Sequence, residues 1–378
     1  MRDDERLHRE LVGRPGSRAG LNTPALVLDR DALDRNIARM AARAAEGGIS
    51  LRPHAKTHKS ADIAMRQLRA GAIGICCAKL GEAEALAAEG ITGLHLTSPV
   101  VPEPAIARLA ALVAAHPDTS VVVDHPANVD RLGHAMQGAA TPLDVIIDID
   151  PGFHRTGVVD AEAAVALART VAAWPRLRYR GVQFYCGAQQ HVADYVARAD
   201  AIGERTAYLS QIIEDLTAAG FAPHIVTGSG TGSHAIDIEL GVFTELQVGS
   251  YVFMDRQYAE CDLTRSGTAR FEHSLFIDSS VVSANTAGLV TLDAGFKAMA
   301  TDGGLPTIAA GVPRETRFAF MGDEQGALIG PQLPTLGERV SLVVPHCDPT
   351  VNLYDSLHLV SGDTLVDIWP VTARGRSR

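Results

Sequence analysis

The chain holds only five cysteines, two tryptophans and 5% aromatic residues in 378 positions. A small, odd cysteine count builds no disulfide framework, so this is not a stapled secreted domain. Cys76 and Cys77 stand side by side in an apolar run and read as buried small hydrophobes. Basic residues are in deficit: 34 Lys and Arg against 44 Asp and Glu leave a net charge of −10. That argues against a nucleic-acid partner bound through a general basic surface. No stretch reaches the roughly 18–20 uninterrupted apolar residues of a membrane span. The charged N-terminus MRDDERLHRE has no apolar signal-peptide core. The expectation is a reduced, soluble, cytoplasmic protein with no membrane partner. An early G-x-G-x-x-G dinucleotide fingerprint is also missing.

What is present is a regular alternation. Between residues 50 and 250, apolar β-branched runs fall at 51–55, 73–78, 93–98, 120–124, 143–150, 180–185, 224–229 and 245–252. Ala/Leu/Glu/Arg-rich segments such as 59–70, 81–89, 161–173 and 194–219 lie between them, with apolar spacings of three and four. Eight strands alternating with helices predict an α/β fold, a (β/α)8 TIM-type barrel, ahead of an open doubly wound sheet. From about 265 the texture changes to runs separated by Gly/Pro turns (274–283, 287–293, 316–320, 339–344, 364–371). This predicts a mostly β C-terminal domain. The domains are therefore drawn as a barrel over 31–262 and a β domain over 263–378. A segment 1–30 contains a strand at 25–29 that packs with the β domain.

Several polar clusters fall at the ends of barrel strands, where barrel enzymes place their chemistry. Lys56 lies in RPHAKTHK; if the chain is extended there, Arg52, His54 and Lys56 share one side. A lysine among cations has its charged form disfavoured, which suits a nucleophilic amine; a lone basic cluster is otherwise a solvated loop. TGSGTGS, at 227–233, reads as a phosphate cradle after the seventh strand, or as a flexible loop. Gly249, Ser250 and Tyr251 after the eighth strand add N–H and phenol donors. Arg155 in GFHRTG meets an anion at the barrel mouth. Tyr185 is a strand-end aromatic, and His191 a loop imidazole suited to proton transfer. In the β domain, His346 and Asp348 of HCDPT, read as extended, face one way and Cys347 the other. They form an N/O ligand pair for a divalent ion, or a hydrogen-bonded turn.

RPHAKTHK, GFHRTG, TGSGTG, VGSYVFMD and HCDPTVNLYD together resemble the D-threonine aldolase / D-serine dehydratase family, within the alanine-racemase-like, fold type III pyridoxal-phosphate enzymes. The resemblance runs from about residue 20 to the C-terminus. It implies a barrel that carries pyridoxal 5'-phosphate, a C-terminal β domain, and a homodimer with shared active sites. It implies that Lys56 forms the Schiff base with the cofactor and that Arg155 and Tyr185 contact the cofactor ring. Gly230, Thr231, Gly249, Ser250 and Tyr251 would hold the phosphate, His191 would act in catalysis, and His346 and Asp348 would bind the metal. The substrate would be a small β-hydroxy D-amino acid. The family's dehydratases resemble His-x-Cys at the metal position. Asp348 is a harder oxygen donor, which suits Mn2+ or Mg2+ more than Zn2+ and matches the aldolase pattern. The implied reaction is cleavage of D-threonine to glycine and acetaldehyde. The alternative is dehydration of D-serine or D-threo-3-hydroxyaspartate to a 2-oxo acid and ammonia. A cofactor-homeostasis protein without catalysis fits less well, because its small relatives lack the β domain.

Overall fold

The computed structural model describes residues 3–265, 270–310, 312–313 and 315–378; parts of the N-terminal segment and of the β domain fall outside them. The first strand, β1 (Ala25–Asp29), ends in an aspartate whose side chain accepts the N–H groups of Asp31 and Ala32. That cap starts the helix Arg30–Glu46.

Eight parallel strands follow: β2 (Ser50–Leu51), β3 (Ile75–Cys77), β4 (Leu94–Leu96), β5 (Ser120–Val123), β6 (Leu143–Ile149), β7 (Leu177–Phe184), β8 (Ile225–Gly228) and β9 (Glu245–Leu246). Their order is β2-β9-β8-β7-β6-β5-β4-β3. A parallel bridge between His54 and Cys76 brings the two ends together, with Cys76 N–H donating to Pro53 O at 2.8 Å. The sheet is thus a TIM-like barrel. Its Val, Ile and Leu side chains, with Cys77, form one core with the helices outside.

The other sheet holds nine strands. It comprises β1 with β10 (Leu275–Thr286), β11 (Leu289–Leu292), β12 (Thr307–Ala310), β13 (Arg317–Phe320), β14 (Gly326–Ile329), β15 (Arg339–Val343), β16 (Ser356–Ser361) and β17 (Thr364–Pro370). β1 lies antiparallel to β10 and parallel to β16. β12, β14 and β16 are additions to the apolar runs read from the sequence. A second core joins residues at the barrel's edge, among them Leu51, Leu246 and Phe253, to Leu275, Leu342 and Val344 of the β domain. Through that shared apolar contact, β-domain residues reach the mouth of the barrel. Among the described residues, no helix is long and apolar enough to cross a membrane.

Candidate active site

Lys56 sits in a single 3-10 turn, Ala55–Thr57, immediately after β2. This departs from the extended geometry expected for 52–56, and the difference matters. Arg52 turns to a bidentate pair with Glu245 of neighbouring β9, at 3.0 Å for both contacts. His54 faces Thr97 Oγ1 at 3.1 Å, and Lys59 pairs with Glu82 at 3.8 Å. The partners of Lys56 are instead Asp348, with Nζ 3.7 Å from Oδ2, and the Tyr185 ring, with its centroid 5.7 Å away. Burial opposes the ammonium, but Tyr185 and Asp348 outweigh it and hold its pKa above the usual lysine value. Lys56 is therefore not the cation-crowded amine expected from RPHAKTHK. The neighbouring basic groups are committed elsewhere, and a carboxylate stabilises the charge.

Lys56 lines a cavity of about 320 Å3 together with Arg155, Tyr185, His191, His346 and Asp348. Gly230, Thr231, Gly249 and Ser250 line it as well. Among the described residues nothing accepts the backbone N–H of Thr231, Gly249 or Ser250. Unpaired N–H groups at a cavity wall suit an anion such as a phosphate. Tyr251 departs from expectation: its side chain is buried, with its phenol oxygen accepting from Gln67 Nε2 at 3.0 Å. It contributes through its backbone N–H, which donates to Thr231 Oγ1 at 3.0 Å.

Arg155 is set by its own loop. Asp150, at the end of β6, accepts the N–H groups of Gly152, Phe153 and His154, each at 2.9 Å. The guanidinium then lies 5.5 Å from the Tyr185 ring centroid. His191 packs on the Tyr258 ring with centroids 4.4 Å apart. Burial lowers its pKa, only partly countered by Asp255, so the imidazole is neutral and free to accept a proton near pH 7.

The HCD segment arrives from the β domain. Cys347–Val351 is a short helix with His346 at its N-cap, not the extended run expected. Cys347 does not line the cavity: it is fully buried, its thiol donates to Asp348 Oδ1 at 3.4 Å, and its N–H donates to Asp255 Oδ2 at 3.0 Å. Arg256 N–H donates to Val344 O at 3.1 Å, and these bonds tie the end of the barrel to the HCD segment. Asp302, not singled out from the sequence, lies 2.7 Å from His346 Nδ1. That contact takes up Nδ1–H and leaves the Nε2 lone pair to act as a ligand. Burial raises the Asp348 pKa, but Lys56 and His346 outweigh it and hold the carboxyl below its usual range. One imidazole nitrogen and one ionised carboxylate make a donor set that fits a divalent ion with open positions.

Another cluster, Asp4, His8 and His358, brings three ligand atoms within 4.8 Å of one another. Its rings are already committed. Asn22 N–H donates to His8 Nε2 at 2.9 Å, which leaves His8 Nδ1–H facing His358 Nε2 at 2.9 Å. His358 Nδ1 in turn meets Leu26 O at 3.1 Å. This is a satisfied hydrogen-bond chain pinning the N-terminal segment to β16.

Comparison with known proteins accords with this geometry. The family model "Alanine racemase, N-terminal domain" matches residues 28–257, and a serine dehydratase domain model matches 274–360. The chain belongs to the alanine-racemase-like family. It is 39% identical over 363 residues to a D-threonine aldolase of Arthrobacter sp, spanning 95% of this chain and 94% of the relative. It is 36% identical over 361 residues to a 3-hydroxy-D-aspartate aldolase of Paracoccus denitrificans, spanning 94% and 93%. The crystal structure of D-threonine aldolase from Filomicrobium marinum superposes with a TM-score of 0.91 at 39% identity, covering 94% of this chain and 97% of that one. The chain is an enzyme, and these full-length relatives are aldolases, hence lyases.

Proposed function

We propose that this enzyme is a metal-activated, pyridoxal-phosphate-dependent aldolase that cleaves the Cα–Cβ bond of β-hydroxy D-amino acids, with D-threonine giving glycine and acetaldehyde. The observation that carries the reading is a single cavity holding a lysine, a row of unpaired backbone N–H groups and a His/Asp pair. Lys56 would hold the cofactor, Thr231, Gly249 and Ser250 its phosphate, and Arg155 and Tyr185 its ring. Pyridoxal phosphate supplies an electron sink at Cα, while the protein selects the bond that breaks. His346 and Asp348 would hold Mn2+ or Mg2+, whose charge lowers the pKa of a nearby hydroxyl.

His191 then does the proton work. Its neutral imidazole accepts the proton of the substrate β-hydroxyl as the C–C bond breaks and the aldehyde forms. Lys56 would take back the cofactor as glycine leaves. Dehydration would instead expel the hydroxyl. Asp348 favours the aldolase reading because it presents a hard oxygen at the cavity, while Cys347 is buried away from it. The remaining parts of the reading are a cytoplasmic homodimer that shares its active sites. Incubating the metal-reconstituted enzyme with D-threonine tests the function. Acetaldehyde and glycine in equal amounts are expected; ammonia and 2-oxobutanoate in their place would establish the dehydratase.

A further inference from the structure

The glycines of the 227–233 loop have a neighbour that the sequence does not reveal. Gln190, in the loop after β7, is 1% exposed and faces the loop after β8. Its Oε1 accepts the N–H of Gly232 at 2.9 Å. Its Nε2 donates to Ser233 Oγ at 3.0 Å and to Cys186 O at 3.3 Å. Ser233 Oγ also accepts the N–H of Gly230 at 3.2 Å. The N–H groups on either side of Thr231 are thus tied back into the protein, and that of Thr231 is left for the cavity. The amide also lies close against the loop. A Cβ on Gly230 would lie 2.4 Å from Gln190 Oε1, and one on Gly232 would lie 2.0 Å from Gln190 O. Gly232 is thus required by the backbone at residue 190, and Gly230 leaves room for the Gln190 amide in the position it holds.

We propose that Gln190 is the positioning residue of the phosphate cradle, holding the glycine loop so that the Thr231 N–H points at the cofactor phosphate. This rests on the reading of the cavity as a pyridoxal-phosphate site. Gln190 does not line the cavity; it acts through Gly232 and Ser233. It neighbours His191 in sequence, so the same side chain anchors the segment that carries the proton acceptor.

The test uses the full chain stripped of cofactor, with Gln190→Met to keep the volume and remove the hydrogen bonds. Binding of pyridoxal phosphate and of pyridoxal, which lacks the phosphate, is measured by absorbance and fluorescence titration. The phosphate ester should bind tenfold or more weakly in the variant, while pyridoxal binding changes less than twofold. Ser233→Ala, a smaller lesion in the same network, should shift affinity in the same phosphate-selective way and carries the test if Gln190→Met fails to fold. Equal weakening of both ligands, or no weakening of either, overturns the proposal. A parent enzyme that binds neither ligand overturns the cofactor reading itself.

Discussion

Lys56 Nζ lies 3.7 Å from Asp348 Oδ2, although the lysine ends a barrel strand and the aspartate belongs to the β domain. The contact joins the proposed cofactor group to the proposed metal group in one cavity. It depends on Asp255, which reaches from the segment after β9 to hold the backbone of Cys347. On the proposed reading, such a site would bring an electron sink and a cation into one cavity.

Lys56 is expected to carry the cofactor covalently. The purified protein should be yellow, and borohydride should fix the cofactor to the peptide containing Lys56. Labelling of Lys59, which is held by Glu82, would contradict the assignment.

Metal should be needed for turnover and not for cofactor binding, because His346 and Asp348 come from the β domain while Thr231, Gly249 and Ser250 come from barrel loops. Exhaustive chelation should abolish acetaldehyde release while the cofactor's visible absorbance remains. Full activity in the chelated enzyme removes the metal from the mechanism.

Asp348→Ala should cost at least two powers of ten in kcat/KM, or about 2.7 kcal/mol of transition-state stabilisation, together with metal affinity. Cys347→Ser should leave metal affinity within severalfold, because that thiol is buried outside the cavity lining and a serine hydroxyl keeps the donor to Asp348 Oδ1. Titration of both variants with Mn2+ decides; the reverse ranking would favour the dehydratase.

Asp237, buried beneath the glycine loop, has its carboxyl pushed by burial from 3.8 up to about 6. Its folded pKa exceeds its unfolded one, so it stabilises the protein fully below the unfolded value. That contribution is lost as pH rises toward 6. Asp237→Asn should therefore gain stability relative to the parent as pH rises from about 4 to 6, on the order of 1–3 kcal/mol, and hold the gain above. Urea unfolding across that range checks this; a constant difference at every pH would contradict it.

The alternation of β-branched runs with Ala-rich segments was legible because each barrel strand and helix buries its own apolar side chains, and that need is written in the local period. Lys56, the 227–233 loop and the HCD segment were legible because strand ends and residue chemistry mark them. Three features became visible only in the folded chain. Arg52 was grouped with Lys56 until its partner Glu245, on β9, appeared beside it. Tyr251 was counted as a phosphate donor until Gln67 was seen to hold its phenol in the core. Gln190, Asp255 and Asp302 carry no motif, because a side chain that positions another residue is defined by what lies across space. Sequence determined the elements, the barrel and the chemical types at its mouth, all properties of short stretches of chain. Tertiary structure alone decided which groups meet, because pairs such as Lys56 with Asp348 and Gln190 with Gly232 form only when distant segments pack together.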